Sequence, residues 1–362
     1  MTSNEIRSRT APNPATTYLS VFKIEVSSGR EAVYENGRQQ VELTLSVAEA
    51  RDYTLTEQQV NTLTVVYRTL NGQYEPLPQK PPENGDAFRW FVSATRDERF
   101  EYFRLQGTSQ RSTPSAKSNA QPAPSPKADV KSRKYYVSTL APGGSMIELF
   151  ARIEIEGELY TTGLDPVSVA PVTAIALPNY AYPTDYIWEK SWSRGNPPGT
   201  DFINEWSLSA RQARFSYGKL VDKPYGMIRW QRPQEGEKAA SNVGVALPGD
   251  EQFRYNPDIE LGPDFPKVMH RDVQSDNPHE IVVVLQASNI IPFNLPSFEQ
   301  GGPCQVDAYD IDGNFHRIKF AFDDSQGSDY DHRTNLKVTI LSPADSNATS
   351  SLNATYSQDE RH

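Results

Sequence analysis

The stretch Asp310-Ile311-Asp312-Gly313-Asn314 sets three oxygen-bearing side chains at alternate positions, the spacing with which a calcium loop begins. Such a loop closes on a bidentate glutamate at its twelfth position, where the sequence offers Phe320 and Ala321. Asp-Gly between two alternating apolar runs is also a favoured hairpin corner. The residues therefore predict a turn, with Asp310, Asp312 and Asn314 kept as a weak alternative metal site. Asp323, Asp324, Asp329 and Asp331 follow and read as a solvated acidic loop. Cys304 is the single cysteine, which excludes an internal disulfide and any multi-cysteine zinc site. In a strand-like stretch it is more often a small buried hydrophobe than a nucleophile. The five histidines, His270, His279, His316, His332 and His362, have no i, i+4 ligand spacing. No nucleotide-binding, zinc-protease or nucleophile-elbow motif occurs. No catalytic residue and no cofactor is assigned.

A second candidate lies in "YAYPTDYIWEKSW". Tyr180, Tyr182, Tyr186, Trp188 and Trp192 all fall at even positions, so an extended chain would carry five rings on one side. Rings on one face of a strand are usually core, because they are the largest source of burial in a sheet. They can also form an open platform for sugar rings or a partner chain, and Pro183 favours the edge strand on which such a platform would stand.

The elements that must position these residues read as strands. "VFKIEV" places Phe22, Ile24 and Val26 on one side, and "VELTLSV" does the same with Val41, Leu43, Leu45 and Val47. Asn36-Gly37 between them and Asn71-Gly72 after "TLTVVY" predict tight hairpin turns. "TEQQVNTL" from Thr56 is the one hint of a helical turn. In "SMIELFARIEIEGELYTT", Ile147, Leu149, Ala151, Ile153 and Ile155 share a face, and Glu156-Gly157 turns the chain back. The unbroken run Ile281 to Leu285 suits a strand buried on both faces. "CQVDAYDIDGNFHRIKFAF" predicts a hairpin with Val306, Ala308, Ile318, Phe320 and Phe322 inward, and Leu336, Val338 and Ile340 mark a closing strand.

The expected fold is all-β: two antiparallel β-sandwich domains, immunoglobulin-like or jelly-roll-like, spanning 18–165 and 172–342, with a boundary inside "PVSVAPVTAIALP". Residues 1–17 and 343–362 are expected to be a flexible N-terminus and a disordered tail. Residues 107–133 are rich in Ser, Pro, Ala and Lys and have too little apolar surface to offset the entropy of ordering. They are expected to be a disordered insertion in the first sandwich, joining "RFEYFRL" and "KYYVSTL" as neighbouring strands. A linker between domains is the alternative, because long structureless loops inside compact domains are uncommon.

The stretch "REAVYENGRQQVELTLSV" resembles the early strands of bacterial Ig-like modules of the invasin and intimin type, in which an Asn/Asp-Gly turn precedes an alternating strand of Val, Thr and Leu. The resemblance implies a bacterial module used in surface, adhesion, fibre or host-interaction proteins. The chain is expected to depart from that pattern, since its residues read as having no tandem repeats, no anchor and no signal peptide.

With 362 residues, a net charge of −10 and a pI near 5.1, the field of the chain repels phosphate backbones, so no nucleic-acid partner is expected. No run of eighteen apolar residues is present, and no membrane span is expected. The chain is expected to be cytoplasmic as synthesised, with export by a route lacking a cleaved N-terminal signal left open. The two Asn-Ala-Thr sequons, at Asn347 and Asn353, are read as chance matches. The leading function is a non-enzymatic binding or assembly protein that presents sandwich loops and strand edges to a protein or glycan partner, with homo-oligomerisation left open. The alternative is a polysaccharide-active enzyme that uses a carboxylate pair in the second domain.

Overall fold

The computed structural model describes residues 15–83, 85–104, 129–164, 168–180, 182–194, 202–221, 227–230, 240–257, 267–270, 277–288, 303–325 and 332–341. The chain is almost all β and divides into two compact, β-sandwich-like units. The first comprises Met1–Glu98 and Tyr102–Leu177, and the second Arg99–Glu101 and Pro178–His362.

The first unit contains β1 (Leu19–Val26), β2 (Ala32–Tyr34), β3 (Val41–Glu49), β4 (Thr64–Arg68), β5 (Tyr74–Pro76), β6 (Trp90–Ser93), β7 (Lys131–Thr139), β8 (Met146–Ile155), β9 (Glu158–Thr161) and β10 (Ala170–Ile175). One sheet has the order β1-β3-β7-β6 and the other β2-β10-β8-β4-β5, with β9 also paired to β8. Inward residues of both sheets make one core: Phe22 and Ile24, then Val41, Leu43, Leu45 and Val47, face Leu149, Ala151, Ile153 and Ile155. These are the alternating positions the period-two pattern picks out. A short helix, α1 (Glu57–Asn61), begins in a capping box: Thr56 Oγ1 accepts the Gln59 N–H, and Gln59 Oε1 accepts the Thr56 N–H.

Several expectations are corrected here. The turn at Asn36-Gly37 does not close a hairpin. β1 and β3 do pair antiparallel, yet the chain between them crosses to the other sheet, where β2 runs parallel to β10. Asn36 is instead a buried anchor whose Oδ1 accepts the N–H groups of Arg38 and Gln39. Second, the division falls between Leu177 and Pro178, inside the stretch expected to hold it, but the first unit does not stop at 165 nor the second begin at 172, because β10 is a member of the first unit's sheet. Third, "RFEYFRL" is not the strand beside β7. That neighbour is β6, and Tyr102 to Arg104 run as an irregular segment. Of the expected insertion 107–133, Lys131 to Arg133 lie within β7, Asp129 and Val130 are described as irregular chain, and 107–128 lie outside the described residues. The strands on either side of it, β6 and β7, are partners in one sheet. Of the expected flexible N-terminus, 1–17, residues 1–14 lie outside the described residues, as does the expected tail, whereas Ala15–Thr17 form a 3₁₀ turn whose Ala15 is buried in the core and so are not flexible chain.

The second unit contains β11 (Tyr186–Arg194), β12 (Phe202–Ala210), β13 (Phe215–Val221), β14 (Met227–Trp230), β15 (Ala240–Ala246), β16 (Ile281–Ser288), β17 (Cys304–Asp310), β18 (Phe315–Phe322) and β19 (Leu336–Leu341). Its sheets have the orders β11-β12-β16-β15-β14 and β13-β17-β18-β19. The main core joins Phe202, Trp206 and Leu208 with Val283, Leu285, Ile318 and Phe320. The continuous burial of β16 has a simple cause. Val283 and Leu285 face that core, while Val282 and Val284 meet Phe253 in a second cluster on the opposite face, with Tyr255 and Val268 packed against it.

Candidate functional site

The aromatic row does not form one surface. Tyr186 is 5% exposed and Trp188 packs on the core of the second unit, stacked on Trp206 at 6.2 Å and tilted against Phe320 at 5.5 Å. Tyr180 packs against the same core, its ring 4.9 Å from that of His316. Tyr182 is 61% exposed and precedes a 3₁₀ turn, Pro183–Asp185, so it is not in the strand. Trp192 lies in β11 after a register shift between Lys190 and Trp192, which breaks the period of two. The side chain of Trp192 lies outside the described residues.

Asp310, Asp312 and Asn314 form the corner of the β17–β18 hairpin. The Asp310 carboxylate is fully buried and accepts four donors: the N–H groups of Asp312 and Asn314 on Oδ1, both at 2.9 Å, then Asn314 Nδ2 at 3.0 Å and His316 Nε2 at 3.3 Å on Oδ2. Four bonds fill the acceptor capacity of a carboxylate, so the group is committed to the turn. His316 Nδ1 in turn lies 2.8 Å from the Tyr186 hydroxyl, which also lies 3.1 Å from the Tyr180 carbonyl oxygen. Burial, then the charge of Asp185, pushes the Tyr186 phenol upward. The result is a sealed polar cluster that ties the start of β11 to the hairpin. Cys304 is fully buried in the same core, and burial pushes its thiol up to about 12, away from nucleophilic chemistry. Among the described residues no group of three or more His, Cys, Asp or Glu side chains is placed to hold a metal ion.

On the outer face of the first unit, Glu42 accepts from Tyr102 Oη at 2.7 Å and Ser27 Oγ at 2.8 Å and pairs with Lys134 Nζ at 2.9 Å. Burial opposes its ionisation, but the bonds from Lys134, Tyr102 and Ser27 prevail and hold its carboxyl down at about 2. This group too is consumed by local structure. It pins the segment that follows β6 to β3.

An open site lies elsewhere in the first unit. The loop between β5 and β6 bounds a cleft of about 440 Å³. Pro78, Pro81, Pro82, the half-buried Phe88 and the buried Trp90 line it together with Lys80, Glu83 and Asp86, whose side chains are exposed. β5 and β6 are edge strands of the two sheets, so the loop passes from one sheet to the other. The Val92 N–H donates to the Pro78 carbonyl at 2.8 Å, and the Asp86 N–H to the Glu83 carbonyl at 3.2 Å. Asp86 Oδ2 accepts the Glu83 N–H at 2.7 Å, closing the turn on itself. Phe88 is stacked on Tyr67, with centroids 4.3 Å apart. Rigid prolines, a self-closed turn and a stacked ring make a preformed concavity in the size range of small-ligand sites. Sequence reasoning passed over "LPQKPPENGDAFRW". Its signal was the combination of three prolines, mixed charge and two flanking aromatics within one connection between strands.

Comparison of the chain with protein-family models and with curated protein sequences finds no match.

Proposed function

We propose that the protein is a non-enzymatic binding or assembly protein, built from two β-sandwich modules, whose cleft in the first module receives a partner. The carrying observation is the contrast among polar and aromatic groups. The buried Asp310 and Glu42 clusters are spent on internal hydrogen bonds, whereas Phe88, Trp90 and three charged side chains line an open, preformed cleft. A further carboxylate of the second module fits a structural role: Asp307 makes a bidentate pair with Arg317 at 2.8 and 3.0 Å.

The strand order supports an immunoglobulin-like reading of the first module. Taking β1, β3, β6 and β7 as strands A, B, D and E gives one sheet in the order A-B-E-D. The other sheet then reads G-F-C-C′ through β10, β8, β4 and β5, with β2 as a second half of the first strand that crosses to pair with β10. The resemblance of residues 30–47 to invasin-type and intimin-type modules points the same way and suggests adhesion or fibre assembly.

The test is capture with the immobilised full chain, on a glycan array and from native lysate, repeated with Phe88→Ala. A partner held by the parent and lost by the variant, with both folded, supports the reading. Turnover of a captured glycan, read as new reducing ends, would replace it with an enzymatic one.

A further inference from the structure

We infer that the cleft between β5 and β6 takes a cationic side chain, a lysine ammonium or an arginine guanidinium, presented by a basic segment of a partner protein. The inference rests on the binding reading above and narrows its ligand. Glu83 and Asp86 set two carboxylates against the single ammonium of Lys80. None of the three takes part in an ion pair among the described residues. The hydrogen bond from the Glu83 N–H holds the Asp86 carboxylate in place without neutralising it. The rings of Phe88 and Trp90 also line the cleft, and an aromatic face attracts a cation through its quadrupole. The stacking of Phe88 on Tyr67 fixes that ring, and the Tyr67 phenol is itself anchored on Glu75 at 3.1 Å. The proline sides suit the methylene stem of Lys or Arg, which buries along apolar surface while its head stays polar. The net charge of −10 adds a long-range field that draws cations. An anionic occupant would meet two carboxylates with only Lys80 to compensate. Lys80, paired with neither carboxylate, opposes an incoming cation by charge repulsion.

The experiment is fluorescence anisotropy with the full chain and fluorescein-labelled hexalysine and hexaarginine, with hexaglutamate and a Gly-Ser hexapeptide as controls, at about 150 mM salt so that diffuse surface attraction is screened. The double variant Glu83→Gln/Asp86→Asn should weaken the cationic peptides at least tenfold, and Lys80→Gln should strengthen them several-fold. Glu25→Gln, a surface carboxylate paired with Lys23 on β1, should leave binding unchanged. Asn at 86 retains an acceptor for the Glu83 N–H, and an unchanged circular-dichroism melt confirms that the cleft is intact. If Glu25→Gln weakens binding as much as the double variant does, the attraction is diffuse and the inference is overturned. If the Gly-Ser or glutamate peptide binds in a Phe88-dependent way, the cationic class is wrong and the binding reading stands. If no peptide binds while the full chain still captures its partner through Phe88, the cation is excluded and the cleft retained. Failure of the capture itself would instead remove the reading on which this one rests.

Discussion

The aromatic row of the second unit and the cleft of the first are built from the same ingredients, rings beside carboxylates, and differ in what covers them. In the row, Trp188 lies against Trp206 and Phe320, and Tyr186 is sealed above His316 and Asp310. In the cleft, Phe88 is stacked on Tyr67 and packs against the first core, and the carboxylates are exposed. The rings alone do not separate the regions, since Trp188 and Phe88 are both half-buried against the core of their own unit; the carboxylates do, buried and bonded beside Tyr186 and exposed beside Phe88.

The largest expected effect tests that separation. Trp188→Ala should cost about 3 to 4 kcal/mol in unfolding free energy, because it removes a large ring packed on the second core. Phe88→Ala should cost about 1 to 2 kcal/mol, since its ring is smaller than that of Trp188, which is likewise half-buried, while abolishing capture of the partner. Urea denaturation of both variants measures the difference. Equal costs would erase the comparison.

Next is the sealed polar cluster. Asp310→Ala leaves the N–H groups of Asp312 and Asn314, together with His316 Nε2, short of their acceptor in a buried corner. A loss of about 2 to 3 kcal/mol is expected. The same unfolding curves check it, and addition of calcium should leave the melting temperature of the parent unchanged if the corner is purely a turn, since a ligand of the native state must raise it.

Much of this was legible in the sequence, for a definite reason. Where one strand face is buried and the other is not, the period of two writes the core directly, as in β18, and the Glu156-Gly157 corner of β8 and β9 could be read from the residues alone. The misreadings share a different cause. Asn36-Gly37 has the composition of a hairpin turn, but which sheet a chain enters after a turn depends on long-range pairing that local residues do not encode. Gly37 does have φ +69°, and a Cβ there would come within 2.9 Å of the Leu140 side chain, so glycine is required for the crossing, not for a hairpin. The aromatic row failed as one face because a register shift and a 3₁₀ turn reset the alternation. The cleft escaped because it belongs to a connection, where no periodicity exists to be read.

A smaller effect contrasts the two buried carboxylates. Glu42 titrates at about 2, below its ordinary 4.5, so its contribution to stability is fully present above about pH 4.5 and is lost as pH falls through about 2. Removing its partners' bonds by Glu42→Gln should lower stability at pH 7 by about 2 kcal/mol and flatten the acid limb between those values. Guanidinium denaturation at a series of pH values gives both numbers. A slope unchanged by the substitution would show that Lys134, Tyr102 and Ser27 hold the carboxylate no better in the folded chain than water does in the unfolded one.

The smallest effect concerns the turn between β8 and β9. Glu156 has φ +52° and Gly157 φ +79°, the left-handed pair of a two-residue hairpin turn, and Glu156 is the one described non-glycine residue with positive φ. A side chain in that region costs about 1 kcal/mol, which Asn tolerates better than Glu. Against this stands one exposed hydrogen bond, from Tyr53 Oη to Glu156 Oε1 at 2.8 Å, whose loss returns both groups to water at little cost. Glu156→Asn should therefore stabilise the chain by about 0.5 kcal/mol, visible as a rise of one or two degrees in the melting temperature. Tyr53→Phe separates the two contributions. If Glu156→Asn destabilises while Tyr53→Phe does so by the same amount, the hydrogen bond outweighs the backbone preference, and the outer edge of the first unit is held by its side chains more than by its turn.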